Sequence, residues 1–271
     1  MREWYWNVIR VKVDWRSAQI LDLANELLDE IVRLLPLSDY PKVMRTCTRF
    51  HCIVARLLYR NLAVSGRAAR RCFSVLSSES STLLGYGDLV RYLNYDTTVA
   101  GGDVYLTYPI LVGALLQLNG LTRLHLSVGR ESADFLVHLM QRKDVIRQNP
   151  CAFRAMDRGG RGGRTCSLLV LPVLEHIIVE GDLRLLRLVR NRMSIRHVEV
   201  INALNYAGIA DMVDAVGGGN VMPMIEKLTL RFQFVSTSDL MSALWGLSFI
   251  FTNLHSLSFQ SPFVNALVRI V

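Results

Sequence analysis

Ile20-Leu-Asp-Leu-Ala-Asn-Glu-Leu-Leu-Asp-Glu-Ile31 runs on through Leu34-Leu35-Pro36, Asp39-Tyr40 and Thr46-Cys47-Thr48-Arg49-Phe50 to Leu57-Leu58-Tyr59-Arg60. The rest of the chain is arranged around this stretch. Leu23, Leu27, Leu28, Ile31, Leu34 and Leu35 recur at three- and four-residue steps, which puts them on one face of a helix. Asp22 is suited to cap that helix and Glu26 to complement the dipole of its first turn. Pro36 ends the run, because proline disfavours helix at the residue before it. Ser38 and Asp39 offer a second cap, and Pro41 stands where an early helical proline is tolerated. Val43, Met44, Cys47 and Phe50 give a second apolar face, and Ile53, Val54, Leu57 and Leu58 a third. Three short helices within 20–62 enclose too little core to be stable alone, so the segment is expected to lean on a partner or a neighbouring domain.

These spaced features resemble an F-box. The family pattern Leu-Pro-x-Glu-Leu-Leu-x-x-Ile is met by Leu23, Glu26, Leu27, Leu28 and Ile31, with Ala24 in the place of the proline. Asp39 before the second helix, Cys47 with Phe50, and Leu57-x-Tyr59-Arg60 match later features, in a form closest to the F-box proteins of fungi. The resemblance implies docking to a Skp-type adaptor and, through it, to the cullin scaffold of an SCF-type E3 ubiquitin ligase. The protein would then be a non-catalytic, substrate-recognition subunit in ubiquitin-dependent protein degradation. The resemblance assigns adaptor contact to Leu23, Leu27, Leu28, Ile31, Val43 and Phe50. Three core helices of an ordinary helical domain are the alternative; the agreement of several spaced features favours the F-box.

Outward from this segment, residues 1–19 form an N-terminal tail. Trp4, Tyr5, Trp6 and Trp15 are interrupted by Arg2, Arg10, Lys12 and Arg16, so there is no signal-peptide core. Val8-Ile-Arg-Val-Lys-Val13 alternates as a short strand would, or the segment is a loose tail. No run of 18 apolar residues occurs, so no membrane-spanning helix is expected. Within a linker over 63–83, residues 66–78 read as a helix, with Ala69, Cys72, Phe73 and Leu76 on one side and Arg67, Arg70 and Arg71 on the other. A polar break follows at 77–82.

Beyond residue 84 a unit of the form apolar-x-x-apolar-x-apolar recurs. It occurs as Val90-Leu93-Tyr95, Leu121-Leu124-Leu126, Leu174-Ile177-Val179, Ile195-Val198-Val200, Ile225-Leu228-Leu230 and Leu254-Leu257-Phe259. The starts are separated by 31, 53, 21, 30 and 29 residues. All but the 53 fall in or near the range of leucine-rich repeats, where each unit is a strand followed by a helix. The alternating part of each unit is a strand signal. Helical patterns lie between the units at 108–118, 133–142, 183–192, 209–216 and 238–251. Leu121-Thr-Arg-Leu-His-Leu126 resembles a leucine-rich repeat directly, although most units lack the usual Asn. The expected fold class is therefore a three-helix F-box followed by an irregular leucine-rich-repeat solenoid of mixed α and β structure, over 84–271. A doubly wound α/β sheet has a similar rhythm, but no glycine-rich phosphate loop follows any of these strands. The array ends at Arg269-Ile-Val271 without the polar cap that solenoids carry.

The long gap is read as an inserted loop over about 144–167. It holds Asn149-Pro150 and Asp157-Arg-Gly-Gly-Arg-Gly-Gly-Arg164, a composition that cannot bury a core. An arginine–glycine run can also bind RNA, but a solvated loop is the simpler reading. The chain has 31 lysines and arginines against 23 acidic residues, for a net charge of +8. Only Lys12, Lys42, Lys143 and Lys227 are lysine. Arginine suits phosphate and carboxylate contacts, yet these arginines are scattered, which favours acidic partners rather than nucleic acid.

Chemistry finds little purchase. The five cysteines, Cys47, Cys52, Cys72, Cys151 and Cys166, are odd in number and irregularly spaced, as in a reduced cytoplasmic or nuclear protein. Cys47, His51 and Cys52 lie close together, but no second ligand pair follows, so neither a metal nor any cofactor is expected. The histidines His51, His125, His138, His176, His197 and His255 form no zinc or nucleophile motif. Gly217-Gly-Gly219 is read as a helix end. What remains is recognition. By alternation the strands should turn one set of side chains outward: Tyr92 and Asn94; Arg123, His125 and Ser127; His176; His197 and Glu199; Lys227, Thr229 and Arg231; Ser256, Ser258 and Gln260. This set is the expected substrate-binding face, with a merely solvated sheet face as the plain alternative. A repeat scaffold or nucleic-acid-binding module without a ligase role, and an α/β enzyme, are the competing classes.

Overall fold

Alternating apolar residues turn each repeat into a half-buried strand, and all six expected strands form. The structure is a computed structural model that describes residues 20–78, 85–97, 103–146, 170–217, 224–233, 237–260 and 265–269. The tail at 1–19, most of the polar break at 77–82, the Arg/Gly run at 157–164, Gly218-Gly219 and Ile270-Val271 lie outside the described residues. The chain divides into two compact units, the first ending at Leu57 and the second starting at Leu58.

The first unit contains helices α1 (Asn25–Arg33) and α2 (Tyr40–Met44) and most of α3 (Thr48–Arg60). Leu28, Val32, Tyr40, Ile53, Val54 and Ala55 are its buried apolar residues. The N-cap position of α1 is Ala24 rather than Asp22. Asp22 closes a single 3-10 turn at Ile20–Asp22, and the extended Ala24 precedes the helix. Ala24 has φ −61° and ψ 153°, the backbone that a proline at this position would impose. Pro41 lies in the first turn of α2 as expected, whereas Asp39 makes no side-chain cap bond and pairs with Lys42 at 2.7 Å.

The second unit is an open eight-stranded sheet whose spatial order follows the chain: β1 (Asn61–Ser65), β2 (Tyr92–Asp96), β3 (Arg123–Val128), β4 (His176–Gly181), β5 (His197–Leu204), β6 (Lys227–Phe232), β7 (Ser256–Gln260) and β8 (Asn265–Arg269). Neighbours from β1 to β7 are parallel, and β8 returns antiparallel on β7. The order never reverses, so there is no topological switch point of the kind that collects ligands in doubly wound sheets. The register is set in the same way at nearly every step. The Arg91 carbonyl accepts from the N–H groups of Thr122 and Arg123, at 2.9 and 3.0 Å. Thr122 does the same for Glu175 and His176, Glu175 for Arg196 and His197, Arg196 for Glu226 and Lys227, and Glu226 for His255 and Ser256, all between 2.8 and 3.0 Å.

One face of the sheet is covered. Leu93, Tyr95, Leu124, Leu126, Ile177, Val179, Val198, Val200, Leu228, Leu230, Leu257 and Phe259 are all buried beneath a row of helices. The row contains α4 (Gly66–Ser77), α6 (Val104–Leu115), α7 (Arg130–Arg142), a 3-10 helix (Leu183–Val189), α8 (Tyr206–Gly217) and α9 (Thr237–Ile250), each touching the next. A short α5 (Tyr86–Leu89) precedes β2. Thus α4, read as part of a linker, supplies Ala69, Phe73 and Leu76 to the sheet's own core. The helix expected over 183–192 is a single seven-residue 3-10 segment. Twenty-one residues per unit leave too short a crossover for a full α-helix, and the tighter helix spans it.

Two residues hold the middle of the sheet. Gly181 has φ +101°, and a Cβ there would meet the Val128 carbonyl oxygen at 1.9 Å, so only glycine fits. Arg192, between the 3-10 helix and β5, is 4% exposed. Its guanidinium donates to the carbonyls of Val145 at 2.6 Å, and of Val170 and Leu171 at 2.6 and 3.3 Å. It thereby ties together the two described stems that flank the expected insertion. Replacing Arg192 with Met keeps the aliphatic stem but leaves three carbonyls without their donors. The expected outcome is a loss of about 2 kcal/mol or more in urea unfolding, with the helical first unit unaffected by amide hydrogen exchange.

Candidate functional site

Each unit carries one of the two sets of residues expected to make contacts. In the first, α3 clamps α1 through charge. Arg49 donates to the Asn25 side chain at 2.8 Å and to the Leu23 carbonyl at 2.6 Å. Asp29, only 6% exposed, accepts from Arg56 at 2.7 Å and pairs with Arg33 at 2.7 Å. Burial pushes the Asp29 carboxyl up, but the hydrogen bonds and charges of Arg56 and Arg33 more than offset it, leaving its pKa below the ordinary 3.8.

This clamp orients α1 so that part of its apolar surface stays outside. Of the expected adaptor-contact residues, Leu27 is 53% exposed, while Leu23, Ile31, Val43 and Phe50 are half-buried. Leu28 departs from the expectation: it is fully buried, because it sits on the α1 face that packs inward with Asp29 and Val32. Among the described residues of the unit, Leu34 at 86% and Leu37 at 72% are the most exposed apolar side chains, and Ile20 is also exposed. The sequence signal for them was their position beside Pro36, where the chain leaves the helix and no longer follows its buried face.

In the second unit, the uncovered sheet face carries every residue expected there, in cross-strand rows. One row runs Asn61, Tyr92, Arg123, His176, His197, Lys227, Ser256. The next runs Ala63, Asn94, His125, Ile178, Glu199, Thr229, Ser258. A third holds Asp96, Ser127 and Glu180 across β2–β4. Beyond the irregularity in β5 it resumes with Ala203, Arg231 and Gln260. Ile178, Glu180 and Asp96 were missed; continuing the alternation along β4 from His176 and along β2 from Asn94 finds each. Ser127 is on this face but buried, and its backbone carbonyl accepts from Thr97.

The centre of the face is polar and under-satisfied. The His176 and His197 rings stack with centroids 3.8 Å apart, and the Arg123 guanidinium lies 5.3 Å over the Tyr92 ring. His197 Nε2 is 3.3 Å from Thr229 Oγ1. His176 and His125 stand 3.7 and 3.8 Å from the carboxylates of Glu199 and Glu180, too far for a hydrogen bond. Asn94 Oδ1, His125 Nε2, Ser127 Oγ and His176 Nε2 are all buried without a hydrogen-bond partner among the described residues. Burial, with His197, Arg123, Lys227 and His125 nearby, pushes His176 down to about 3. Burial with Lys227 and Arg123 pushes His197 down to about 4. Both imidazoles are therefore neutral at physiological pH. Among the described residues, His176, His197 and Glu199 form the one group of three side chains able to share a metal ion; Cys47, His51 and Cys52 do not converge in this way.

The Asp29 clamp has a measurable consequence. Asp29→Asn removes the charge but keeps the shape, and should speed amide exchange in α1–α3 by about 1 kcal/mol, since the arginines are half in solvent. Asp29 has a depressed pKa, so its contribution is full above pH 3.8 and fades as the pH falls through the lower folded value. Wild type and variant should therefore converge in acid.

Among known families, residues 20–61 match the F-box domain. No curated protein matches the chain. No described helix is long and apolar enough to cross a membrane. The F-box match covers the helical segment that carries the exposed Leu27, Leu34 and Leu37.

Proposed function

We propose that this protein is the substrate-recognition subunit of an SCF-type ubiquitin ligase, without catalytic activity of its own. The observation that carries the reading is the exposure of Leu27, Leu34 and Leu37 on a segment that matches the F-box. Side chains of this size gain about 1.5–3 kcal/mol each when fully buried, so three of them can anchor a partner. Leu23, Ile31, Val43 and Phe50, half-buried, would complete the contact with a Skp-type adaptor, which links to the cullin scaffold. Leu28 would act from within, holding α1 in place. Ubiquitin transfer would belong to other subunits.

The sheet face would choose the substrate. Strands β1 to β7, parallel and in chain order, with one row of helices on one side and the same carbonyl contact from β2 through β7, support reading the second unit as an irregular leucine-rich-repeat array. Arg123 and Lys227 in one row, with Arg231 beyond them, offer three cations to an acidic protein segment. The covered apolar face and the absence of a strand-order reversal weigh against an enzyme pocket at strand ends.

Co-purification with a Skp-type adaptor tests the reading. Leu27→Asp with Leu34→Asp alters only exposed side chains, and should weaken adaptor binding by at least about 100-fold. Arg123→Ala with Lys227→Ala should leave it unchanged. Adaptor binding that survives the double aspartate substitution, or no adaptor binding by wild type, overturns the proposal.

A further inference from the structure

We propose that His176, His197 and Glu199 form a zinc site on the open face of the sheet. Strands β4 and β5 pair in parallel with His176 opposite His197, and Glu199 lies two residues further along β5 on the same face. The register therefore brings three ligating side chains from two rigid strands to one spot, with one ligand atom from each lying within 4.8 Å of the others. Two imidazoles and one carboxylate suit Zn²⁺, and three protein ligands leave a position for solvent. His176 Nε2 is buried and has no hydrogen-bond partner among the described residues, so ligation would satisfy it. Thr229, 3.3 Å from His197 Nε2, is placed to orient that ring.

The neighbours weigh on both sides. Arg123 and Lys227 flank the histidines in the same row and oppose a cation, while Glu180 on β4 adds a second negative charge to the face. Ring stacking at 3.8 Å and 14° also has to yield, because two parallel imidazoles cannot aim their in-plane lone pairs at one ion. Zinc binding would therefore swing at least one ring out of the stack. The motif escapes a linear reading, since 20 residues separate the two histidines and only strand pairing joins them. This inference does not depend on adaptor docking.

The test uses the untagged full-length chain, freed of metal with a chelator and titrated with Zn²⁺ by calorimetry. Co²⁺ then serves as a spectroscopic substitute. One equivalent should bind, and Co²⁺ should give visible bands without thiolate charge transfer. His176→Gln and His197→Gln should each weaken Zn²⁺ binding by more than about 100-fold, since loss of even an outer-shell partner weakens metal sites by about 10–100-fold. His125→Gln, on the same face but outside the triad, should leave affinity within about threefold, set by the usual context-dependence of a neighbouring charge. Circular dichroism of the metal-free variants checks folding. If a histidine variant misfolds, Glu199→Gln, at a partly exposed position, carries the same test. No stoichiometric zinc, unchanged affinity in His197→Gln, an equal loss in His125→Gln, or a thiolate signature would each overturn the site.

Discussion

A single backbone carbonyl, one residue before each strand from β2 to β6, takes two successive N–H groups at the start of the next strand. Arg91, Thr122, Glu175, Arg196 and Glu226 all do this. Parallel strands have no hairpin turn to fix their register, so some other contact must do so. The shared carbonyl starts each strand at the same level as the last. Everything useful about the sheet follows. Buried leucines and valines stack in rows under the helices, and the alternate residues stack in rows on the open side. A slip by one residue would exchange the two faces and place His125, Glu199 and Lys227 in the core. The contact is also indifferent to side-chain identity, which lets Arg, Thr and Glu occupy the same role.

The helical unit solves a different problem. With so few residues it cannot bury all its leucines and still hold three helices together. Asp29 with Arg33 and Arg56, and Arg49 on the start of α1, supply polar ties that orient α1 against α3. With that orientation set by charge, Leu28 and Val32 fill the interior, and Leu27, Leu34 and Leu37 are left outside. Exposure of this kind is the usual mark of a contact surface.

Some of this was legible in the residues alone. The alternation in Leu124-x-Leu126 and its five counterparts located six strands, because a strand with one buried face must alternate. The polar set from Tyr92 to Gln260 was placed on one face by the same rule. β1 escaped because Leu62 and Val64 follow α3 without a break, so the end of a helix masked a two-residue alternation. The 3-10 helix after β4 escaped because Leu183 to Val189 has apolar spacing compatible with either helix type, and only the short crossover decides between them. Which leucines of α1 face outward was also beyond periodicity, since adjacent Leu27 and Leu28 both lie near its apolar stripe.

Local pattern by itself determined the helical front, the F-box-like spacing, six of the eight strands and the division of those six into two faces. These are properties of residues within a few positions of one another, and the periods of helix and strand express them directly. Tertiary structure alone decided that the strands order as they do along the chain, that Arg192 ties Val145 to Val170, and that Leu28 is inside while Leu34 is outside. It also decided that His176 meets His197 and Glu199. Such facts depend on register between distant segments, and register is set by backbone hydrogen bonds that leave no mark on side-chain order.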